Sequence, residues 1–381
     1  MDTRNFHGRD ISLLGFGLMR LPTKSGPTDI DKVAAKKMVA NAISAGINYF
    51  DTAYMYHGGE SERFVGEALS GYARESFCLA SKMPLVNVQS ASDVETLFNE
   101  QLARCKTDYF DYYLLHSVQQ SYLKTLAESR VYEQLLKKKE TGQIKHLGFS
   151  FHDTPELLQK IVDEHDYDFG QIQVNYFDWE LQRAGELHEI LHSKKIPIHV
   201  MEPVRGGALA KLSTEAIDIF KVANPLTSPA SWAMRYVASL PGVQVVLSGM
   251  STMEQLIDNI KTYSPFIPLT ESEKGVIEAA TSAFRKASTI PCTNCRYCMD
   301  CPSGVEIPKN MDVYNNYERY LAEKNSMADF LFKMEYRLLK PEGQAVLCNS
   351  CGQCLDRCPQ KIDIPSWMEK ISHWQSDAGS A

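Results

Sequence analysis

The 381-residue chain has no apolar run approaching the length of a membrane-spanning helix, and its first residues, MDTRNFHGRD, lack the apolar segment of an export signal. Both absences predict a cytoplasmic protein. Long basic stretches are missing as well. The net charge of −7 is spread along the sequence, so neither nucleic acid nor an anionic membrane is expected as a partner, which leaves small molecules and other proteins. Low-complexity sequence is confined to the short tail SDAGSA. Cysteine is nearly absent before residue 290, where only Cys78 and Cys105 occur. Isolated as they are, both read as small buried apolar residues. The other eight of the ten cysteines fall between Cys292 and Cys358. Without an export signal disulfides are a poor explanation, so this asymmetry marks a metal-binding domain.

What is present first is a repeating alternation. Apolar, β-rich runs begin near residues 13, 47, 76, 109, 144, 169, 196 and 243, and amphipathic helical stretches separate them. Such alternation belongs to a parallel sheet wrapped by helices, and eight strands is the number of a (β/α)8 TIM barrel. A doubly wound open sheet that binds a dinucleotide usually has a Gly-x-Gly-x-x-Gly turn after its first strand, and none is found here. Thr28-Asp-Ile-Asp is expected to open a helix ending near Gly46. Thr154-Pro155-Glu156 opens another, with proline at a tolerated first-turn position. A helix is expected over 271–287, and the boundary is placed near 288: a barrel over 1–287, then a small, mostly α, metal-binding domain over 288–381. Between Cys301 and Cys348 a tyrosine-rich stretch reads as one or two helices whose tyrosines serve packing.

Cys348, Cys351, Cys354 and Cys358, followed by Pro359, reproduce the C-x2-C-x2-C-x3-C-P run of bacterial ferredoxins. Cys292, Cys295, Cys298 and Cys301, followed by Pro302, repeat it with one residue fewer before the last cysteine. Three thiolates at this spacing can surround one face of a 4Fe-4S cubane, while the fourth points toward a second cluster. Paired C-x2-C knuckles also bind structural zinc, but triplets followed by Cys-Pro fit zinc poorly. The resemblance to two-cluster ferredoxins implies that Cys292, Cys295, Cys298 and Cys358 hold one 4Fe-4S cluster. Cys348, Cys351, Cys354 and Cys301 then hold the other.

In a barrel of this kind chemistry sits at the C-terminal strand ends. Asp51 closes INYF, Lys82 closes FCLAS, His116 closes YYLL, and Tyr56 follows Asp51 by five residues. Any one of these alone would be a cap or a satisfied structural residue. Together they can supply the proton and the orientation that carbonyl reduction by a separate hydride donor needs. Tyr56 can donate a proton, Lys82 can lower the phenol pKa, Asp51 can hold Lys82 charged, and His116 can donate to the substrate oxygen. The four resemble the catalytic tetrad of the aldo-keto reductases, whose signature Asp-Thr-Ala-x-x-Tyr stands here as Asp51 to Tyr56. The likeness continues through Gly59-Glu60, Phe64-Val65-Gly66-Glu67-Ala68-Leu69, Gly148-Phe149-Ser150, Asn175, Gly206-Gly207 and Ser248-Gly249-Met250.

That resemblance implies an oxidoreductase using NADP or NAD on a small carbonyl substrate. Ser150 and Gln171 would meet the carboxamide, Gly206 and Gly207 would let backbone approach the pyrophosphate, and the loop after the eighth strand with Asn259 would meet the adenosine half, with Pro203, Ser248, Gly249 and Gln255 also among the cofactor-binding positions. Departures from the family pattern are visible. Met201 stands where an aromatic residue often stacks on the nicotinamide, and Gly249, Met250 and Gln255 replace a cationic clamp for a 2′-phosphate. Glu202 adds a carboxylate that Arg205 would offset. No flavin motif is present, although hydride brings two electrons and each cluster carries one. Two other readings stay open: a ferredoxin-driven reductase of an activated or unsaturated substrate, and an electron-transfer or redox-sensing protein with structural clusters and a non-catalytic barrel.

Overall fold

The computed structural model describes residues 1–286, 290–322 and 325–377. The boundary expected near 288 and the last four residues of the tail lie outside them. Contacts divide the chain into two compact units, Met1–Val204 with Ala230–Thr270, and Arg205–Pro229 with Glu271–Ala381.

The first unit is a closed parallel barrel. A short antiparallel hairpin, β1 (Thr3–Phe6) and β2 (Arg9–Ser12), precedes its eight strands: β3 (Leu14–Gly17), β4 (Tyr49–Asp51), β5 (Cys78–Met83), β6 (Phe110–Val118), β7 (Ile144–Phe151), β8 (Phe169–Gln173), β9 (Ile198–Met201) and β10 (Val243–Gly249). Each barrel strand pairs with the next, and β10 returns to pair with both β9 and β3. All eight expected strands are present. The expected helix after the first of them starts later than Thr28. It runs Lys32–Ser44 because the Asp31 carboxylate accepts from the Val33 and Ala34 amides and caps it. At Pro155–Glu164, Thr154 is the cap, accepting from the Leu157 amide.

The hairpin closes the N-terminal end of the barrel. Phe6 and Ile11 join Tyr49, Cys78, Tyr112, Phe169 and Val245 in an apolar cluster inside it. A second, larger layer of buried side chains lies between the strands and the surrounding helices. Close packing leaves no room for a side chain at position 148, where a Cβ would stand 2.5 Å from the Phe169 ring.

In the second unit the helices Thr214–Ala223 and Glu271–Arg285 pack together. The cysteine-rich part wraps a separate core built on the helices Ile307–Ala322, Ala328–Arg337 and Ile364–Asp377, with Tyr314, Tyr317 and Tyr336 buried as expected of packing residues. Among the described residues no helix is long and apolar enough to cross a membrane.

Candidate active site and metal centre

Alternation along the strands decides which side chains enter the barrel. The inward series reads Tyr49 then Asp51 on β4, Cys78, Ala80 then Lys82 on β5, and Tyr112, Leu114 then His116 on β6. The lower members belong to the apolar floor, and the last member of each series is polar. Ser150 on β7, Gln171 on β8 and Met201 at the end of β9 follow the same parity. Tyr56 comes from the turn after β4, where His57, Gly58 and Gly59 all take left-handed conformations.

All four tetrad positions meet. Lys82 Nζ donates to Asp51 Oδ1 at 2.5 Å and to the Thr52 carbonyl at 2.7 Å, and lies 5.0 Å from the centre of the Tyr56 ring. Tyr56 and His116 stand edge to face with ring centres 6.0 Å apart. Lys82 is fully buried, and Asp51, His116 and Tyr56 expose 3%, 4% and 9% of their surface. Burial favours the neutral form of each ionisable group, raising the Asp51 pKa and lowering that of Lys82. The ion pair between them opposes both shifts. Burial first, and then the Lys82 charge, hold His116 well below the usual imidazole range. Its ring is therefore neutral near pH 7 and keeps one N–H to donate.

Around this centre Ser150 Oγ accepts the Ser117 amide at 2.7 Å. Gln171 Nε2 donates to Met201 Sδ at 3.6 Å, while Gln171 Oε1 is buried with no hydrogen-bond partner. Pro203 is buried just beyond β9. In the second unit, Gly206 and Gly207 have φ values of 63° and 99°, left-handed backbone that glycine adopts without strain. On β10 and the helix Met253–Thr262, Asn259 Nδ2 donates to Ser248 Oγ at 2.9 Å, and Gln255 accepts the Ser251 amide at 2.7 Å. The aliphatic part of the Arg20 side chain lies 3.2 Å from where a Gly249 Cβ would be. Arg20 also reaches Glu202 at 3.6 Å, the carboxylate that Arg205 was expected to offset. Arg20 belongs to the opposite end of the chain, so no local spacing announces it.

The cysteines form two sets. Cys292 and Cys298 interact with Cys358, and Cys298 also with Cys295. Separately, Cys354 interacts with Cys348, Cys351 and Cys301. Equivalent loop positions take left-handed backbone in both sets, Asn294 with Ser350 and Arg296 with Gly352, so the two runs curl alike. In the first set the Asn294 amide already points at Cys292 Sγ, at 3.4 Å. Burial and neighbouring thiols push Cys292 and Cys354 up to about 11. Four thiolates gathered so closely repel one another unless a cationic core compensates, and an iron-sulfur cluster fits that donor set.

Comparison with known proteins agrees with this architecture. Residues 13–281 match the aldo/keto reductase family, and residues 291–362 match the 4Fe-4S dicluster domain. An uncharacterized oxidoreductase of Bacillus subtilis, YqkF, is 27% identical over 71% of this chain and 93% of its own length. The 6-dehydroglucose reductase of Novosphingobium aromaticivorans is 36% identical over 61% of this chain and 81% of its own. Among solved structures, the holo form of an aldo-keto reductase from Bacillus halodurans superimposes with a TM-score of 0.61 at 25% identity, covering 74% of this chain and 96% of that one. With the barrel and the cysteine-rich domain both matched, the chain belongs to the aldo/keto reductase family and is an oxidoreductase whose barrel is followed in sequence by a 4Fe-4S domain.

Proposed function

We propose that this oxidoreductase reduces a small aldehyde or ketone with NADH or NADPH, with Tyr56 as general acid, and that its C-terminal domain holds two 4Fe-4S clusters. The observation that carries the reading is the fully buried Lys82 ammonium, held by Asp51 at 2.5 Å beneath the Tyr56 ring with His116 across from it. The nicotinamide, when bound, supplies hydride to the carbonyl carbon. Tyr56 gives its phenolic proton to the carbonyl oxygen. Lys82 stabilises the phenolate left behind, Asp51 holds Lys82 in place, and the neutral His116 ring donates a hydrogen bond that orients the oxygen.

Gln171 Oε1, a buried acceptor lacking a partner, suits the amide hydrogens of a carboxamide, and Ser150 is the neighbouring hydroxyl. Met201 and Pro203 would line the ring, Gly206 and Gly207 the pyrophosphate, and Ser248, Gly249, Gln255 and Asn259 the adenosine half. Cys292, Cys295, Cys298 and Cys358 would ligate one cluster and Cys301, Cys348, Cys351 and Cys354 the other, the barrel ending near 287. Clusters supply one-electron transfer, which calls for a ferredoxin-type partner. Related proteins named as reductases support the reaction class, among them the NADH-specific methylglyoxal reductase of Escherichia coli, 23% identical over 73% of this chain and 97% of its own length.

The test is an anaerobic assay of cluster-replete protein with NADH or NADPH and a panel of aldehydes and ketones, following nicotinamide oxidation and alcohol formation. Turnover is expected. No turnover with either nucleotide, together with reduction driven by reduced ferredoxin, would overturn the nicotinamide reading.

A further inference from the structure

Behind the tetrad, on the outward face of β5, lies a buried polar network that the reaction as described does not use. Its centre is Glu62, fully buried on the helix Glu60–Leu69. Glu62 Oε1 accepts from Ser81 Oγ at 2.6 Å and from Gln101 Nε2 at 2.6 Å, and Oε2 faces Arg104 Nη1 at 3.4 Å. Gln101 Nε2 also reaches the Lys82 carbonyl at 3.0 Å, and Gln101 Oε1 accepts from Tyr113 at 2.5 Å. Ser81 and Lys82 are adjacent, one facing out toward Glu62 and the other in toward Asp51.

Burial raises the Glu62 pKa, and Ser81, Gln101 and Arg104 oppose that shift; since each group that contacts Glu62 is a donor, the environment is that of an ionised carboxylate and not of a carboxylic acid. An uncompensated carboxylate at such depth would be costly, so its retention next to a buried ammonium calls for a physical reason. We propose that Glu62 is a positioning residue of the candidate site, holding the Ser81 and Lys82 stretch of β5 in register and placing a second negative charge behind the Lys82 ammonium. The inference rests on the reading of Asp51, Tyr56, Lys82 and His116 as the reacting group.

Supporting this, Glu62 acts with Asp51 against the burial that would strip Lys82 of its proton. Charged and titratable groups facing Glu62 are Lys82 on β5, Arg104 and Cys105 on the helix Ala91–Cys105, and Tyr113 on β6. Burial drives Cys105 and Tyr113 far above their ordinary ranges, so neither titrates with the site. Removing the Glu62 charge therefore eases loss of the Lys82 proton and of the Tyr56 proton alike. Both ionisations move to lower pH.

The experiment compares full-length, cluster-replete wild type with Glu62→Gln, an isosteric change that keeps an acceptor for Ser81 and Gln101. Two readouts are taken: the basic limb of kcat for NADPH-dependent reduction of 4-nitrobenzaldehyde, and the Tyr56 tyrosinate absorbance, obtained as the difference from the same chain carrying Tyr56→Phe. Both should shift to lower pH, by roughly half a unit to one unit for a nearby charge at an effective dielectric of about 20. Arg104→Gln leaves Glu62 less compensated and should shift both upward, which keeps the inference testable if Glu62→Gln does not fold. A Tyr56 titration that stays put in the variants, with only Tm falling, would reduce Glu62 to a packing role and overturn the proposal. If the titration moves but no aldehyde is reduced by wild type, the positioning role stands and the carbonyl reading fails.

Discussion

Lys82 bears the largest electrostatic burden at the site, since a fully buried ammonium persists only with a closely held counter-charge. Its replacement, Lys82→Met, removes the charge proposed to tune Tyr56. We expect kcat for aldehyde reduction to fall about 10²–10⁴-fold, as for loss of a positioned acid, with KM little changed. Steady-state kinetics on protein of matched iron content checks this. Because burial and Lys82 keep His116 well below the ordinary imidazole range, activity should not follow a histidine titration between about pH 6 and 7.5. An acid limb near pH 6.5 that disappears in His116→Gln would contradict that neutral ring. Gln171→Ala removes a buried acceptor proposed to meet the carboxamide, and nicotinamide affinity measured by fluorescence titration should weaken about fivefold to tenfold.

At the scale of elements, the eight strands were legible because each carries a run of apolar residues bounded by helical periodicity, and the polar residue ending the inward series of β4, β5 and β6 marked the site. Hairpin β1–β2 was not legible. TRNFHGRDIS is short and mostly polar, and only Phe6 and Ile11, flanking a His7-Gly8 turn with left-handed backbone at both positions, hint at the plug they form. Glu62 escaped notice for a different reason: its partners Ser81, Gln101 and Arg104 come from other elements, and only folding assembles them. Grouping of 205–229 with the cysteine-rich unit likewise depends on packing between Thr214–Ala223 and Glu271–Arg285, which spacing does not encode. Close helix packing yields a stability test. A Cβ on Gly66 would lie 2.7–2.8 Å from backbone atoms of Arg104 and Cys105, which cannot swing aside. Gly66→Ala should therefore destabilise the barrel by about 1–3 kcal/mol despite the better helix propensity of alanine, as measured by anaerobic urea denaturation.

Across the whole molecule, two kinds of redox chemistry share one chain: hydride transfer proposed for the barrel and single-electron transfer proposed for the cysteine sets. The proposed crossing of the fourth ligand would tie the two cysteine runs together, so a single change in one run should disturb the cluster of the other. Electron paramagnetic resonance of dithionite-reduced protein should show Cys301→Ser and Cys351→Ser losing the same signal, and Cys358→Ser and Cys295→Ser losing the other. Pairing of Cys301→Ser with Cys295→Ser instead would mean that each run holds its own cluster. The central claim is that Tyr56 protonates a carbonyl while nicotinamide reduces it, and its most direct measurement is a single-turnover comparison of cluster-replete wild type and Tyr56→Phe, with NADPH and 4-nitrobenzaldehyde under anaerobic conditions. Alcohol formation is expected in wild type and a rate at least about 100-fold lower in Tyr56→Phe, with nucleotide binding and iron content unchanged. Equal rates in the two proteins would contradict that claim.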